Sequence, residues 1–272
     1  MQPDTLMVNS VEDFYRRFPF PWFDLTKFNQ RSDLIKHASQ YARMIYMNIP
    51  FGKEIADVGC GTGQLACLLS LKASRVDGID FSQASIEKAA SLRDRLGIRN
   101  LDLHVVDILK DLGAWPKRYD VVFCNGVLHH LSDPEAGVVN LCGLLKSGSY
   151  VVIGYYNTFG RFIKNVSRKF RVLPDKETQD KQALHWHLDQ ECHPHEVTFT
   201  HGDVMRWFNK CNIEYCSSMP PIEHFHCSTL FTRPFRVTQK QVSLFKRFFV
   251  QLSWVWSLRS SGGYSVIVGR KR

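Results

Sequence analysis

The chain has no Cys-x-x-Cys pair, no internal repeat, no low-complexity tract and no long uncharged run. Its eight cysteines are scattered singly, which excludes a disulfide scaffold and the paired-ligand spacing of structural zinc sites. Several fall in segments that read as strands or helices, the usage of reduced, buried thiols in a cytoplasmic protein. The longest uncharged window near the C-terminus, Phe248–Leu258, spans eleven residues. A helix that crosses a bilayer needs roughly 20. The segment Met1–Ser10 has neither a basic n-region nor an apolar h-region, so a secretory signal is not expected and a cytoplasmic location is. Net charge is also missing from the first half: residues 1–150 carry 17 Lys+Arg and 17 Asp+Glu, whereas residues 151–272 carry 18 and 9 and hold the whole +9. What remains is ordinary globular usage, 44% hydrophobic and 22% charged over 272 residues, enough to bury a sizeable core.

The most informative stretch present is Glu54-Ile-Ala-Asp-Val-Gly-Cys-Gly-Thr-Gly63, an apolar strand running into a loop with glycine at every second position. Without Cβ atoms at Gly59, Gly61 and Gly63 the backbone turns sharply and lies close to a ligand. A loop that follows a strand and opens a helix is where doubly wound α/β proteins hold a nucleotide-like group. Gln64 stands where the dinucleotide fingerprint needs Gly or Ala, so NAD or FAD fits poorly. After a helix near Gln64–Leu71, Arg75–Asp80 reads as a second strand ending in a carboxylate twenty-one positions beyond Gly59. That is the spacing at which a βαβ unit presents an acid to a ribose, and both oxygens of Asp80 accept hydrogen bonds. A third strand, Asp102–Val106, ends at Asp107-Ile108, and a fourth, Tyr119–Asn125, leads into Gly126-Val-Leu-His-His-Leu131. A helix near Pro134–Leu145, a turn at Lys146-Ser-Gly148 and a fifth strand, Tyr150–Tyr155, follow.

The E/D-x-G-x-G-x-G loop and the strand-end residues after it resemble the class I S-adenosylmethionine-dependent methyltransferases, in their bacterial small-molecule type. The resemblance covers roughly residues 53–155, with a weaker likeness on the flanks. It implies an α/β, Rossmann-like seven-stranded sheet of order 3-2-1-4-5-7-6 with the seventh strand antiparallel, completed by Ile213–Ser218 and Gly262–Gly269. Residues 1–50 then form a lid or cap, 51–157 the cofactor-binding core, and 158–272 cap insertions plus the last two strands. It also implies S-adenosylmethionine as cofactor, leaving S-adenosylhomocysteine, held by Asp57, Gly59, Cys60, Gly61, Thr62, Gly63, Asp80, Phe81, Ser82, Asp107, Ile108 and Asn125.

Methyl transfer needs a general base only when the acceptor is protonated. His129 and His130 follow the fourth strand where the family's cleft opens, and an imidazole titrates near cytoplasmic pH. His193 is a third candidate base, in the segment Leu184–Glu196. That segment holds His185, His187, Cys192, His193 and His195 without any standard ligand spacing, so no metal is expected and an ordered loop above the cofactor is. Its Asp189, Gln190, His193, Pro194 and Glu196 resemble a D-Q-x-x-H-P-x-E pattern of a bacterial methyltransferase subgroup, with no role implied. Near the start, Phe14–Phe23 is rich in aromatics, and Pro19 and Pro21 forbid a regular helix there. A helix is expected at Ser32–Met47. Tyr15, Trp22, Tyr155 and His185 are the expected acceptor contacts.

The acceptor is expected to be a small or carrier-borne molecule methylated on O, N or C. An RNA acceptor is the alternative, since Arg161–Arg171 and Arg233–Arg247 form basic, aromatic-rich stretches. Against it, no N/D-P-P-Y/F follows the fourth strand, which reads Asn125-Gly-Val-Leu. The same stretches leave a peripheral membrane contact open, and a noncatalytic S-adenosylmethionine-binding role would keep the glycine loop intact.

Overall fold

The computed structural model describes residues 11–168, 195–223, 235, 242–258 and 262–272. Seven strands, β1 (Glu54–Val58), β2 (Arg75–Asp80), β3 (Leu101–Val105), β4 (Tyr119–Asn125), β5 (Leu145–Tyr156), β6 (Ile213–Met219) and β7 (Tyr264–Lys271), form one sheet of order β3-β2-β1-β4-β5-β7-β6. The first five are parallel, and β7 runs antiparallel to both β5 and β6. The expected Rossmann-like sheet is therefore present, with the last two strands hydrogen-bonded into it.

Alternation along the strands explains why helices cover both faces. Ile55, Val121, Phe123 and Val152 point into one core with helices α4 (Gln64–Ser70) and α5 (Gln83–Arg95). Ala56, Val58, Val122 and Ile153 point into the other, under α6 (Pro134–Gly143) and the helix His201–Lys210. The fully buried Phe123 ties β4 into the first core, and its truncation to Ala would cost about 3–5 kcal/mol. Short polar side chains start the helices: Ser82 caps α5 and Asp133 caps α6, with Pro134 at its first turn.

Three local features differ from the sequence reading. Residues 11–17 form a helix, α1 (Val11–Arg17), which stops short of Pro19, and the Phe20–Pro21 peptide is cis. The expected Ser32–Met47 helix is two, α2 (Ser32–His37) and α3 (Gln40–Asn48). Ala38 is extended, and the Ser39 hydroxyl accepts from Ala42 N to start α3 afresh. The expected turn at 146–148 lies inside β5, where Leu145 pairs with Tyr119 before the ladder shifts to Val121–Tyr150. After β5 come α7 (Thr158–Arg168), α8 (His201–Lys210) and α9 (Leu244–Ser257), with α7 packed on α9. The C-terminal ends of β1, β2, β4 and β5 meet at one edge, the edge where open α/β sheets take ligands.

Candidate active site

The glycine loop sits at the end of β1. Gly59 and Cys60 both donate their N–H to Ile79 O, at 2.6 and 3.0 Å, which folds the loop over β2. Gly59, Gly61 and Gly63 have φ of +74°, +53° and +82°, and the space around them is equally restrictive. A Cβ on Gly59 would stand 2.1 Å from Val127 Cγ2, and one on Gly61 would stand 2.2 Å from Phe20 O. Phe20 O also accepts from Thr62 N at 3.2 Å, and Pro21 O accepts from Thr62 Oγ1 at 2.7 Å. The N-terminal segment thus lies directly on the loop. α1 sets Tyr15 between Phe81 and His130, with ring centroids 6.2 and 6.0 Å apart.

Two buried carboxylates lie beneath this loop. Asp80 accepts from Gly61 N through Oδ2 and from Ser82 N through Oδ1, both at 2.9 Å, which leaves a lone pair on each oxygen. Burial outweighs those bonds and pushes its pKa up to about 6. Asp57, 2% exposed, is pushed up to about 7 by burial and by the charge of Asp80. Asp57 Oδ2 and Asn125 Nδ2 are buried with no hydrogen-bond partner, although Asn125 Oδ1 accepts from Tyr41 OH at 2.7 Å. Two acids and two orphaned polar atoms under a glycine cradle suit a ligand that brings positive charge and donors. S-adenosylmethionine, with its sulfonium, ammonium and ribose hydroxyls, fits that donor and acceptor set. NAD would bring a doubly negative pyrophosphate to a loop with two buried acids beneath it.

The remaining expected cofactor residues fall around the same edge. Cys60 is buried against Gly78, and its thiol stays protonated because burial raises its pKa well above the ordinary value. Ser82 is occupied as the cap of α5. Asp107 follows β3, but its carboxylate turns back onto Leu109 N at 2.8 Å and pairs with Lys110 at 3.2 Å. Ile108 is buried, and its carbonyl accepts from Asn140 Nδ2 at 2.8 Å.

The opposite wall is built of rings. His129 and His130 form a short 3-10 turn, Leu128–His130, after β4, and both are buried. His129 lies 4.4 Å from the Tyr156 ring and 4.1 Å from His130. The Tyr156 ring also meets a cation: the Arg161 guanidinium carbon is 3.8 Å from its centroid. Arg161 forks onto Glu196 with Nη2–Oε2 at 2.6 Å and Nε–Oε1 at 3.1 Å, both side chains buried, and gives Nη1 to Gly262 O at 2.9 Å. The segment 195–197 is stitched to the imidazole turn: Val197 N donates to His129 O at 2.8 Å, and His130 Nδ1 lies 2.9 Å from His195 O. A carbonyl only accepts, so Nδ1 carries the proton and Nε2 is the basic nitrogen of neutral His130. Tyr264 completes the wall, 5.9 Å from Tyr156 and 6.4 Å from Tyr41, and the missing Cβ of Gly154 makes room for its hydroxyl.

One expected acceptor contact is corrected. Tyr155 is fully buried on the other face of the sheet, stacked on Phe199 and hydrogen-bonded to His201, because alternation turns it away from its neighbour Tyr156. Trp22 lines a cavity of about 200 Å3 with Pro21, Phe23, Thr62, Lys88 and Ser91, on the α5 side of the loop. His185 and His193 lie outside the described residues. Sequence reasoning missed Tyr41, Tyr156, Arg161 and Tyr264, and gave Glu196 no role.

Comparisons with known proteins agree with this geometry. A family model described as a methyltransferase domain matches residues 51–211. A ubiquinone biosynthesis O-methyltransferase of Idiomarina loihiensis is 32% identical over 115 residues, which cover 42% of this chain and 46% of that one. The chain spans about half the length of the curated relatives it matches. Magnesium protoporphyrin IX methyltransferase from Synechocystis PCC 6803, solved with S-adenosylhomocysteine, superposes with a TM-score of 0.53 at 15% identity, covering 96% of this chain and 93% of that one. The 4+2 cyclase SpnF gives the same TM-score at 14% identity over 86% and 83%. Both likenesses show the fold alone. The family model covers more than half of the sequence, and by it the chain belongs to the methyltransferase-domain family.

Proposed function

We propose that the protein moves the methyl group of S-adenosylmethionine to a hydroxyl oxygen of a small-molecule acceptor, with His130 as general base. S-adenosylmethionine supplies a methyl group already activated on a cationic sulfur, so the protein contributes position and proton transfer. Asp80 takes the ribose hydroxyls through its spare lone pairs. Asp57 and Asn125 face the charged end of the cofactor. His130 Nε2 accepts the acceptor's hydroxyl proton as the oxygen takes the methyl group, and its tautomer is held by the His195 carbonyl. Tyr15, Tyr156 and Tyr264 give an apolar, ring-shaped surround that suits an aromatic or amphiphilic acceptor.

The observation that carries this reading is the juxtaposition of two buried acids under a positive-φ glycine loop with an oriented imidazole across the cleft. The O-methyltransferase name of the curated relatives supports oxygen as the acceptor atom. Calorimetric titration tests the cofactor assignment: S-adenosylmethionine and S-adenosylhomocysteine are expected to bind, and tighter binding of NAD would overturn it. A noncatalytic role predicts the same titration but no methyl transfer to any catechol or phenol offered.

A further inference from the structure

The surface formed by α7 and α9 has no place in that chemistry. Most of the exposed large apolar side chains among the described residues lie on these two helices. On α9, Phe245, Phe248, Phe249, Leu252 and Trp256 recur at helical spacing along the outer face, and Phe162 stands beside them on α7. Phe245 is 75% exposed and Trp256 74%. The inner face of α9 is equally apolar: Val250, Trp254 and Leu258 are buried together, and the buried Gln251 accepts from His201 N at 2.9 Å. A helix apolar on both faces is not a water-facing helix.

Charge identifies the partner. Neither helix contains an acid, and each lies in a longer run without one, from residue 136 to 174 and from 224 to the end. Lys246 stands exposed among the rings. We propose that the outer face of α7 and α9 seats on an anionic phospholipid bilayer, the rings entering the boundary between headgroups and chains and the basic side chains meeting lipid phosphates. A second copy of the same face would set one acid-free, basic surface against another across a two-fold axis, a like-charge pairing. The rings also disfavour RNA. Phe248 and Phe249 meet edge to face at 87°, and Phe245 tilts at 56° against Phe249, so they form an apolar ridge, not free flat platforms for bases. Helix α7 links this face to the cleft, since Arg161 points inward over Tyr156 while Phe162 points outward. The proposal holds whatever the acceptor.

The test is sedimentation of the full chain with mixed phosphatidylglycerol–phosphatidylcholine vesicles against phosphatidylcholine alone. The anionic vesicles are expected to carry the protein down and the neutral ones to leave most of it in solution. The double variant Phe245→Ser, Phe249→Ser should weaken binding about tenfold or more, and Lys246→Glu about fivefold. All three positions are exposed, so the thermal midpoint should hold. If the double variant fails to fold, quenching decides instead: lipids brominated on their chains should quench wild-type emission, and Trp256→Phe should lose that component. Absence of sedimentation with anionic vesicles, or equal partitioning of wild type and both variants, would overturn the proposal. So would a lipid-free dimer that the double variant dissociates, or binding of a polyuridine probe with no vesicle binding.

Discussion

The two walls of the cleft are made of different materials. At the ends of β1 and β2 the wall is backbone and carboxylate: three glycines at positive φ, Asp57 and Asp80, all within one strand–turn–helix–strand unit. At the ends of β4 and β5 the wall is rings and one buried ion pair, with Tyr15, Tyr41, His130, Tyr156, Glu196 and Tyr264 drawn from six separate segments. In the proposed function the first wall is a fixed electrostatic device for one cofactor. The second is a packed aromatic surface whose shape depends on elements far apart in the chain. Mutations on the two walls should therefore fail in different ways: the first should change cofactor affinity, and the second should change turnover or folding.

The largest expected effect is on the ring wall. His130→Ala should lower turnover by about 10²–10⁴ while the S-adenosylmethionine dissociation constant stays within a few-fold. Single-turnover rates beside calorimetric affinities read both quantities, and unchanged turnover would mean an acceptor that needs no base. Glu196→Ala should follow. It leaves the Arg161 guanidinium buried without its carboxylate, and breaking such a pair destabilises by about 3–5 kcal/mol. Urea denaturation measures it, and Glu196→Gln should recover part of the loss by restoring a hydrogen-bond acceptor. On the other wall, Asp80→Ala removes the acceptors for Gly61 N and Ser82 N and, in the proposed function, for the ribose. It should weaken cofactor binding by about 1–3 kcal/mol with little change in turnover at saturation. Equal affinity in wild type and variant would sink the role given to Asp80.

The same contrast explains what the sequence made legible. The glycine loop and Asp80 are fixed by local chemistry, where φ, strand length and helix start leave one arrangement, and β2 and β4 were legible to the residue. Strand parity would also have separated Tyr156 from Tyr155, because neighbours on a strand face opposite ways; one exact strand end was the missing fact. The role of Arg161 was hidden by its setting in a basic, aromatic-rich stretch that reads as an outward contact for RNA or membrane, whereas the fold turns it inward onto Glu196. Tyr41 and Tyr264 carry no local signal at all. They meet Asn125 and Tyr156 only because β7 returns beside β5 and α3 packs on α4 within reach of the end of β4, which are consequences of topology.

Titration sharpens the comparison further, because buried groups on the two sides of the molecule pull stability in opposite directions. Asp57 and Asp80 hold protons up to about pH 7 and about pH 6 when folded, against an ordinary 3.8. Between those limits the folded chain binds more protons than the unfolded one, so the two acids make stability fall as pH rises from about 4, the fall ending near 6 for Asp80 and near 7 for Asp57. His201, buried beside Tyr155, is the reverse: its pKa drops from 6.5 to about 3, so the unfolded chain binds the extra proton and stability rises with pH up to about 6.5. The wild-type profile without cofactor sums two acids against one imidazole: it is expected to decline from about pH 4 to about 6, to level briefly, and to decline again from about 6.5 to about 7 as Asp57 finishes ionising. Asp57→Asn should remove both declines, leaving one acid balanced by the imidazole up to about pH 6, then a small rise and a plateau above about 6.5. A cationic ligand beside the acids favours their charged forms, so S-adenosylmethionine binding should release protons and tighten as pH rises through the same window. Calorimetry in buffers of different ionisation enthalpy counts the released protons. An Asp57→Asn variant with the wild-type stability slope above pH 6.5 and the wild-type proton release would show that Asp57 is not the group under the cation.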